Sequence, residues 1–180
     1  MLYEVMRLFT DYFDVLFIHR INDDEKILKL KEILKKFVTL PGGRQLTFCL
    51  EDIGFPHIDV ELERFEMALQ HSRYNFIYIG SDNCETDNAD TSKWKFKQYS
   101  ALNEKIEKRD RSIVPVIDNQ QTQIPTLLKI FRPLKVWKLL KHRTLDDVSD
   151  VSKLGVTDID ERTLDFVRHM FDPSASATTS

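Results

Sequence analysis

The 180-residue sequence has little of what marks several large classes of protein. It has two cysteines, Cys49 and Cys84, which are too few for a disulfide scaffold and indicate a reducing compartment. The five histidines are scattered, with no cysteine at the spacing of zinc ligands, so we expect no metal site. A net charge of −3 does not suggest a nucleic-acid partner. No apolar run is long enough to span a membrane, so we expect a cytoplasmic protein without membrane contact in this segment.

Short apolar runs alternate with helix-period segments, which is typical of an α/β domain with a parallel sheet. The predicted strands are residues 13–19, 45–50, 76–79, 113–117 and 134–137. The predicted helices begin at Asn22 or Asp23 and end at Val38, and then cover residues 59–72, 93–108, 125–131 and 160–171. We therefore predict a flavodoxin-like fold, with a central five-stranded parallel sheet flanked by helices on both faces. This domain covers residues 12–172; residues 1–11 are a leader or short helix, and residues 173–180 are a disordered tail.

The loop after the second predicted strand is the best candidate for a binding site, because ligands of such sheets lie beyond the carboxyl ends of the strands. It presents two acids, then an apolar tip with a glycine for conformational freedom and a proline that restricts the backbone. An apolar tip beside acids suits a contact core with a charged rim. The candidate residues are Glu51, Asp52, Ile53, Gly54, Phe55, Pro56 and His57.

Charge is unevenly distributed along the chain. Residues 51–66 contain six acids against the single base Arg64, whereas residues 129–143 contain six bases and no acid. Such runs are usually solvated faces. The predicted topology, however, places the two regions at opposite edges of the sheet, and two complementary surfaces on one molecule favour head-to-tail assembly.

Five segments, in order, resemble the Toll/interleukin-1 receptor (TIR) family. FDVLFIH (13–19) resembles its first box, and LTFCLEDIGFP (46–56) its second box with the "BB loop". ALQHSRYNFIYIGSD (68–82), SKWKFKQYSALNEKI (92–106) and RSIVPVI (111–117) resemble three further segments of the family. The third box usually carries Phe-Trp, and DFVRHMF (165–171) stands here instead. Within the family, the loop 51–56 and the run 98–103 resemble the TRIF/TRAM-type adaptors.

The resemblance implies a signalling adaptor of Toll-like receptor innate immunity that binds other TIR domains, either itself or a receptor or adaptor. It implies that the loop 51–57 docks on the far edge of a neighbouring copy, whose basic residues here are Lys129, Arg132, Lys135, Lys138 and Lys141. It also accounts for Pro115, because the family carries a proline within its fourth strand, whereas proline alone would suggest a sheet edge or a bulge.

Some TIR domains cleave NAD, using a glutamate four residues after a conserved tryptophan. Here Trp94 is followed at that distance by Gln98, which cannot offset a developing ribosyl cation as a carboxylate can. The chain also lacks a glycine-rich phosphate cradle. We therefore expect no catalytic residue and no cofactor.

Two other functions stay open. One is an NAD-cleaving TIR enzyme that uses another carboxylate, such as Glu51, Asp52 or Glu104, and the other is the cytosolic TIR domain of a receptor. A phosphoacceptor domain is disfavoured, because it would need acids at the end of the first strand, where His19 and Arg20 stand, and the acids Asp23 and Asp24 beyond them resemble a helix cap.

Overall fold

A computed structural model describes residues 13–49, 59–80, 89–107 and 112–172 and, within the stretch 89–107, the side chains of 92–103. Five strands form one sheet in the order β2-β1-β3-β4-β5, and all four neighbouring pairs are parallel. The strands are β1 Phe13–Ile18, β2 Phe48–Cys49, β3 Ser72–Ile79, β4 Ile113–Ile117 and β5 Leu134–Lys135. The predicted flavodoxin-like α/β fold is therefore confirmed.

Helices cover both faces of the sheet. They are α1 Asp24–Phe37, α2 Glu61–Gln70, α3 Ala89–Glu107, the single turn α4 Val136–Leu139, and α5 Glu161–Phe171. The apolar side chains of α1 and α5 join one buried cluster with Val15, Phe76 and Val114, whereas those of α2 and α3 join a second cluster with Leu16 and Ile77. Because successive strand residues point to opposite faces, β1 and β3 contribute to both clusters, which explains the continuous apolar runs of β1 after Asp14 and of β3 from Phe76 to Ile79.

β1 and β4 match the prediction most closely. β4 has its predicted bounds and β1 ends one residue early, whereas β3 begins four residues earlier than predicted, at Ser72. At one edge, the described residues of β2 that pair with β1 are Phe48 and Cys49, and Gln45 bridges back to Thr39. At the other edge, the backbone turns helical at Val136, so β5 ends at Lys135.

Two other predicted elements differ in the structure. The predicted helix 125–131 is a 3-10 turn, Thr126–Leu128, so the strict alternation of five strands and five helices is wrong at this point. α3 begins at Ala89, four residues earlier than predicted. α5 has the predicted bounds to within one residue, because the Asp160 carboxylate accepts the Thr163 N–H at 2.9 Å and caps it.

Pro115 lies inside the sheet, opposite Ile77 of β3. β5 pairs only with Val116 and Ile117, so Pro115 needs no ladder hydrogen bond on that side. β4 is thus an inner strand despite its proline, as the resemblance implied.

Candidate functional site

β2 and β5 are the outer strands at opposite edges of the sheet; the acidic region follows β2 in the chain, and the basic region includes β5. The loop Glu51, Asp52, Ile53, Gly54, Phe55, Pro56 and His57 lies outside the described residues, and its role stays a prediction. The helix that follows this loop, α2, and the basic edge around β5 are described, and their charges can be compared directly.

The acidic helix α2 is less free to bind a cationic partner than its composition indicates. Glu61 accepts a hydrogen bond from Lys93 at 2.7 Å and lies 3.3 Å from the ammonium of Lys97, both on α3. The hydrogen bond from Lys93, together with Lys97, lowers the pKa of the Glu61 carboxyl despite partial burial. The exposed acids that remain in the described part of this region are Asp59, Glu63 and Glu66.

The basic edge is a groove rather than a flat surface. Its volume is about 840 Å³, and four of the five predicted cations line it: Arg132, Lys135, Lys138 and Lys141. Lys129 is exposed but does not line the groove. Chain folding adds a fifth cation, Arg162 from the first turn of α5. Arg162 stands 19 residues beyond the basic run 129–143, so no local pattern in the sequence could assign it to the groove.

Aromatic rings hold two of the groove's cations in position. The Arg132 guanidinium lies 4.3 Å from the ring centroid of Phe166, and the Lys138 ammonium lies 5.4 Å from that of Trp137. Such cation–π contacts contribute about 0.5–1 kcal/mol at exposed sites. Phe166 and Trp137 belong to different elements, α5 and α4, so the groove depends on their packing.

The turn after α4 carries Lys141 and His142 into the groove with an unusual backbone. Both residues have positive φ, 51° and 71°, which costs a residue with a side chain roughly 1–2 kcal/mol. The His142 N–H donates to the Trp137 carbonyl at 2.6 Å, and the Lys141 ammonium donates to the Thr157 carbonyl. These bonds hold the strained turn that presents both side chains at the groove.

The groove's cations are poorly neutralised by the protein itself. Within the part of the chain that the structure describes, Arg132, Lys135, Lys138 and Arg162 form no salt bridge. One carboxylate, Asp160, lines the groove beside them and caps α5. Hydrogen bonds from the Thr163 hydroxyl and N–H, together with the nearby Arg162 and Lys141, hold the Asp160 pKa low, so this carboxylate is ionised. Five cations against this one carboxylate leave the groove with a concentrated positive charge.

Gln98 is buried on α3, with 5% of its surface exposed, between Trp94 and Leu102 on the same helix face. The Arg20 guanidinium lies 5.3 Å from the Trp94 ring centroid, and Asp24 bonds to His19 at 2.8 Å at the same end of β1. Glu51 and Asp52 lie outside the described residues, as does the side chain of Glu104. The expected absence of catalysis therefore stays a prediction that depends on Gln98.

A buried carboxylate that the sequence did not indicate, Asp118, supports the β5 side of the molecule. It accepts hydrogen bonds from the Leu145 N–H at 2.9 Å and the Tyr78 hydroxyl at 3.1 Å, while the Lys26 ammonium lies 3.9 Å away. Burial raises the pKa of Asp118 above its ordinary value, although these groups favour the ionised form. Asp118 thereby fastens the loop that follows the basic edge to the end of β4.

The residues that the structure describes contain no cluster of three or more potential metal ligands. Among their helices, none has both the length and the apolar character that a membrane crossing requires.

No family model, no curated protein and no solved structure matches this chain. The fold and the site define a doubly wound α/β domain with a cationic groove at its β5 edge.

Proposed function

We propose that the chain is a TIR-type adaptor domain that works by homotypic binding to other TIR domains in Toll-like receptor innate immune signalling. We propose the cytoplasm as its compartment. In this proposal the protein is a scaffold and not an enzyme. The single observation that carries the proposal is the concentrated positive charge at the β5 edge of the sheet, while the acidic stretch of the sequence follows β2, the strand at the other edge.

The positions of the resembling segments support the proposal. FDVLFIH forms β1, the segment that resembles the second box includes β2, and RSIVPVI includes β4. The remaining two segments contain β3 and α3. The order of these elements is the one that the resemblance implies for a TIR domain.

The charges give the proposed contact a direction. In our proposal, the loop 51–57 and the exposed acids Glu63 and Glu66 of one protomer meet Lys135 and Lys138 of the next. Because the two surfaces differ, such contacts are head-to-tail and can repeat from one protomer to the next. Glu61 contributes little, since Lys93 and Lys97 already neutralise it.

A charge-reversal experiment tests the proposal. We expect the pair Lys135→Glu and Lys138→Glu to weaken self-association and association with partner TIR domains about tenfold or more, because like charges then face each other. Sedimentation velocity over a concentration series measures self-association. Binding to immobilised partner TIR domains measures the association with partners.

The matched control is the pair Lys95→Glu and Lys153→Glu, which makes the same change in net charge at exposed positions outside the groove. Equal weakening by both pairs would mean that net charge rather than the β5 edge decides assembly. No weakening by the groove pair would contradict the proposed contact.

A further inference from the structure

We infer that the groove at the β5 edge is also a binding site for a small polyol or sugar that carries several phosphate groups. This inference goes beyond the proposed homotypic contact and does not depend on it, because it concerns one protomer and a soluble ligand. It rests on three features of the groove: its charge, the fixed position of its cations, and a neutral cavity beside it.

The charge requires a ligand of high anionic density. Five cationic side chains and one ionised carboxylate, Asp160, surround about 840 Å³, so the net charge of the lining is about +4 (five positive charges less one). A phosphate group carries roughly −1.5 to −2 charges at neutral pH, so about two or three phosphates neutralise the groove. Acidic peptide side chains carry one charge each and need more room for the same effect. The volume lies within the range of small-molecule sites, about 300–1,000 Å³.

The cations are held where a ligand can meet them. Phe166 and Trp137 fix Arg132 and Lys138 by ring contacts, and the hydrogen-bonded turn fixes Lys141. Side chains that are already ordered lose little conformational entropy when a ligand binds. Arginine and lysine together provide forked and point-charge donors, the combination that suits phosphate oxygens.

A second cavity adjoins the groove and is lined mainly by neutral polar side chains instead of cations. It has a volume of about 540 Å³ and shares Trp137 and His142 with the groove. Its other lining residues are Asn119, Gln120, Gln121 and Thr144, whose neutral amides and hydroxyl can both donate and accept hydrogen bonds. Such groups suit the hydroxyls of a polyol. A ligand that spans both cavities places its phosphates among the cations and its free hydroxyls among the amides.

The N-terminus of α5 does not contribute an anion site of its own. Asp160 already occupies it, accepting hydrogen bonds from the Thr163 N–H and hydroxyl. Recognition of the phosphates therefore falls to the side chains, above all to Lys138 and Arg162, both of which are exposed at the groove.

Isothermal titration calorimetry with inositol 1,4,5-trisphosphate tests the inference, with inorganic phosphate and unphosphorylated inositol as comparison ligands. We expect saturable binding at one site per protomer in about 0.15 M salt, where exposed charges more than about 8 Å apart are largely screened. We expect Lys138→Ala with Arg162→Ala to weaken it about tenfold or more, because two charge-assisted donors are lost. The control pair Lys95→Ala and Lys153→Ala should change it less than about twofold, since exposed charges outside the site contribute little.

Two further arms separate the possible outcomes. Repeating the titration with the pair Glu63→Lys and Glu66→Lys, which leaves the groove intact, shows whether binding is independent of assembly. Vesicles of phosphatidylcholine with and without phosphatidylinositol 4,5-bisphosphate show whether the same phosphates are also recognised on a lipid headgroup. Trisphosphate binding without vesicle binding assigns the site to a soluble ligand. Absence of saturable trisphosphate binding, or equal weakening by the groove and control pairs, would overturn the inference.

Discussion

The two sides of the sheet treat charge in opposite ways. Near β2, the buried Asp14 carboxylate accepts two hydrogen bonds from the Arg44 guanidinium, at 2.7 and 3.0 Å, and others from Thr47. Between α2 and α3, Glu61 is likewise bound by two lysines. Near β5, Arg132, Lys135, Lys138 and Arg162 form no salt bridge among the described residues, and five cations line the groove against one carboxylate, Asp160.

The difference separates charges that stabilise the fold from charges that are available to a partner. Crowded like charges repel one another and contribute nothing to folding by themselves. The strained turn at Lys141 and His142 adds a further cost on the β5 side. The charge repulsion and the strained turn both lower stability. Their presence at this surface is therefore better explained by binding to a partner than by stabilisation of the fold.

Removing the guanidinium on the paired side should have the largest effect on stability. We expect Arg44→Ala to lower the free energy of unfolding by about 2 kcal/mol, because the buried Asp14 loses two charge-assisted hydrogen bonds that water replaces only in part. Lys135→Ala, on the unpaired side, should change it by less than about 0.5 kcal/mol. Urea unfolding of both variants measures the difference. A similar loss of unfolding free energy in both variants would contradict the distinction between paired charges that stabilise the fold and unpaired charges that do not.

Salt should affect the two sides unequally. Raising the salt concentration from about 0.05 M to about 0.5 M screens exposed charges, so we expect self-association to weaken about tenfold. The buried Asp14 contact is screened far less, and the unfolding free energy should change little over the same range. Sedimentation velocity and urea unfolding in the same buffers provide both values. Association that persists unchanged at high salt would point to an apolar rather than an electrostatic contact.

The two buried carboxylates should give opposite pH dependences. Burial alone would raise the pKa of Asp14, but hydrogen bonds from Arg44 and Thr47 lower it overall. Its stabilising contribution is therefore complete above about pH 4 and is lost as the pH falls further, through the lowered pKa. Asp118 has a raised pKa, so the folded protein holds this proton more tightly than the unfolded chain does, and stability is gained as the pH falls from neutral toward about 4.

Thermal unfolding of Asp14→Asn and Asp118→Asn between about pH 3 and pH 7 checks these signs. Relative to the wild type, Asp14→Asn should lose less stability at the acid end. Asp118→Asn should lack the gain on moderate acidification. Parallel profiles for the two variants would show that the two carboxylates do not differ as described.

The smallest expected effect concerns catalysis. We expect the purified protein to release no nicotinamide from NAD above the background rate, because Gln98 cannot stabilise a ribosyl cation. Gln98→Glu restores a carboxylate at that position and is the matched variant. Chromatographic detection of nicotinamide follows both proteins. Turnover by the wild type would assign the protein to the enzymatic class instead.

The sequence was sufficient to predict the topology and the strands β1 and β4. Strands buried on both faces are apolar along their length, as β4 is, whereas the polar first half of β3, Ser72 to Asn75, gave no such signal and was missed. The outer strands were predicted too long, since an apolar residue such as Val136 can be buried equally well in a helical turn. Periodicity reports burial and does not by itself distinguish these two states.

The candidate site could be predicted only where its residues are neighbours in the chain. The basic run 129–143 was visible, and four of its members line the groove. Arg162 and Phe166 reach the groove through the packing of α5, and the pairing of Glu61 with Lys93 joins two helices. Such contacts depend on tertiary geometry, and no spacing rule within one element predicts them.

A charge-swap experiment tests the central claim, that an acidic surface of one protomer meets the basic edge of the next, most directly. The first variant carries Lys135→Glu and Lys138→Glu, and the second carries Glu63→Lys and Glu66→Lys. The account predicts that each variant alone stays monomeric in sedimentation velocity and that an equal mixture assembles, because each reversed surface then meets its complement. A mixture that remains as monomeric as its components would contradict the proposed contact.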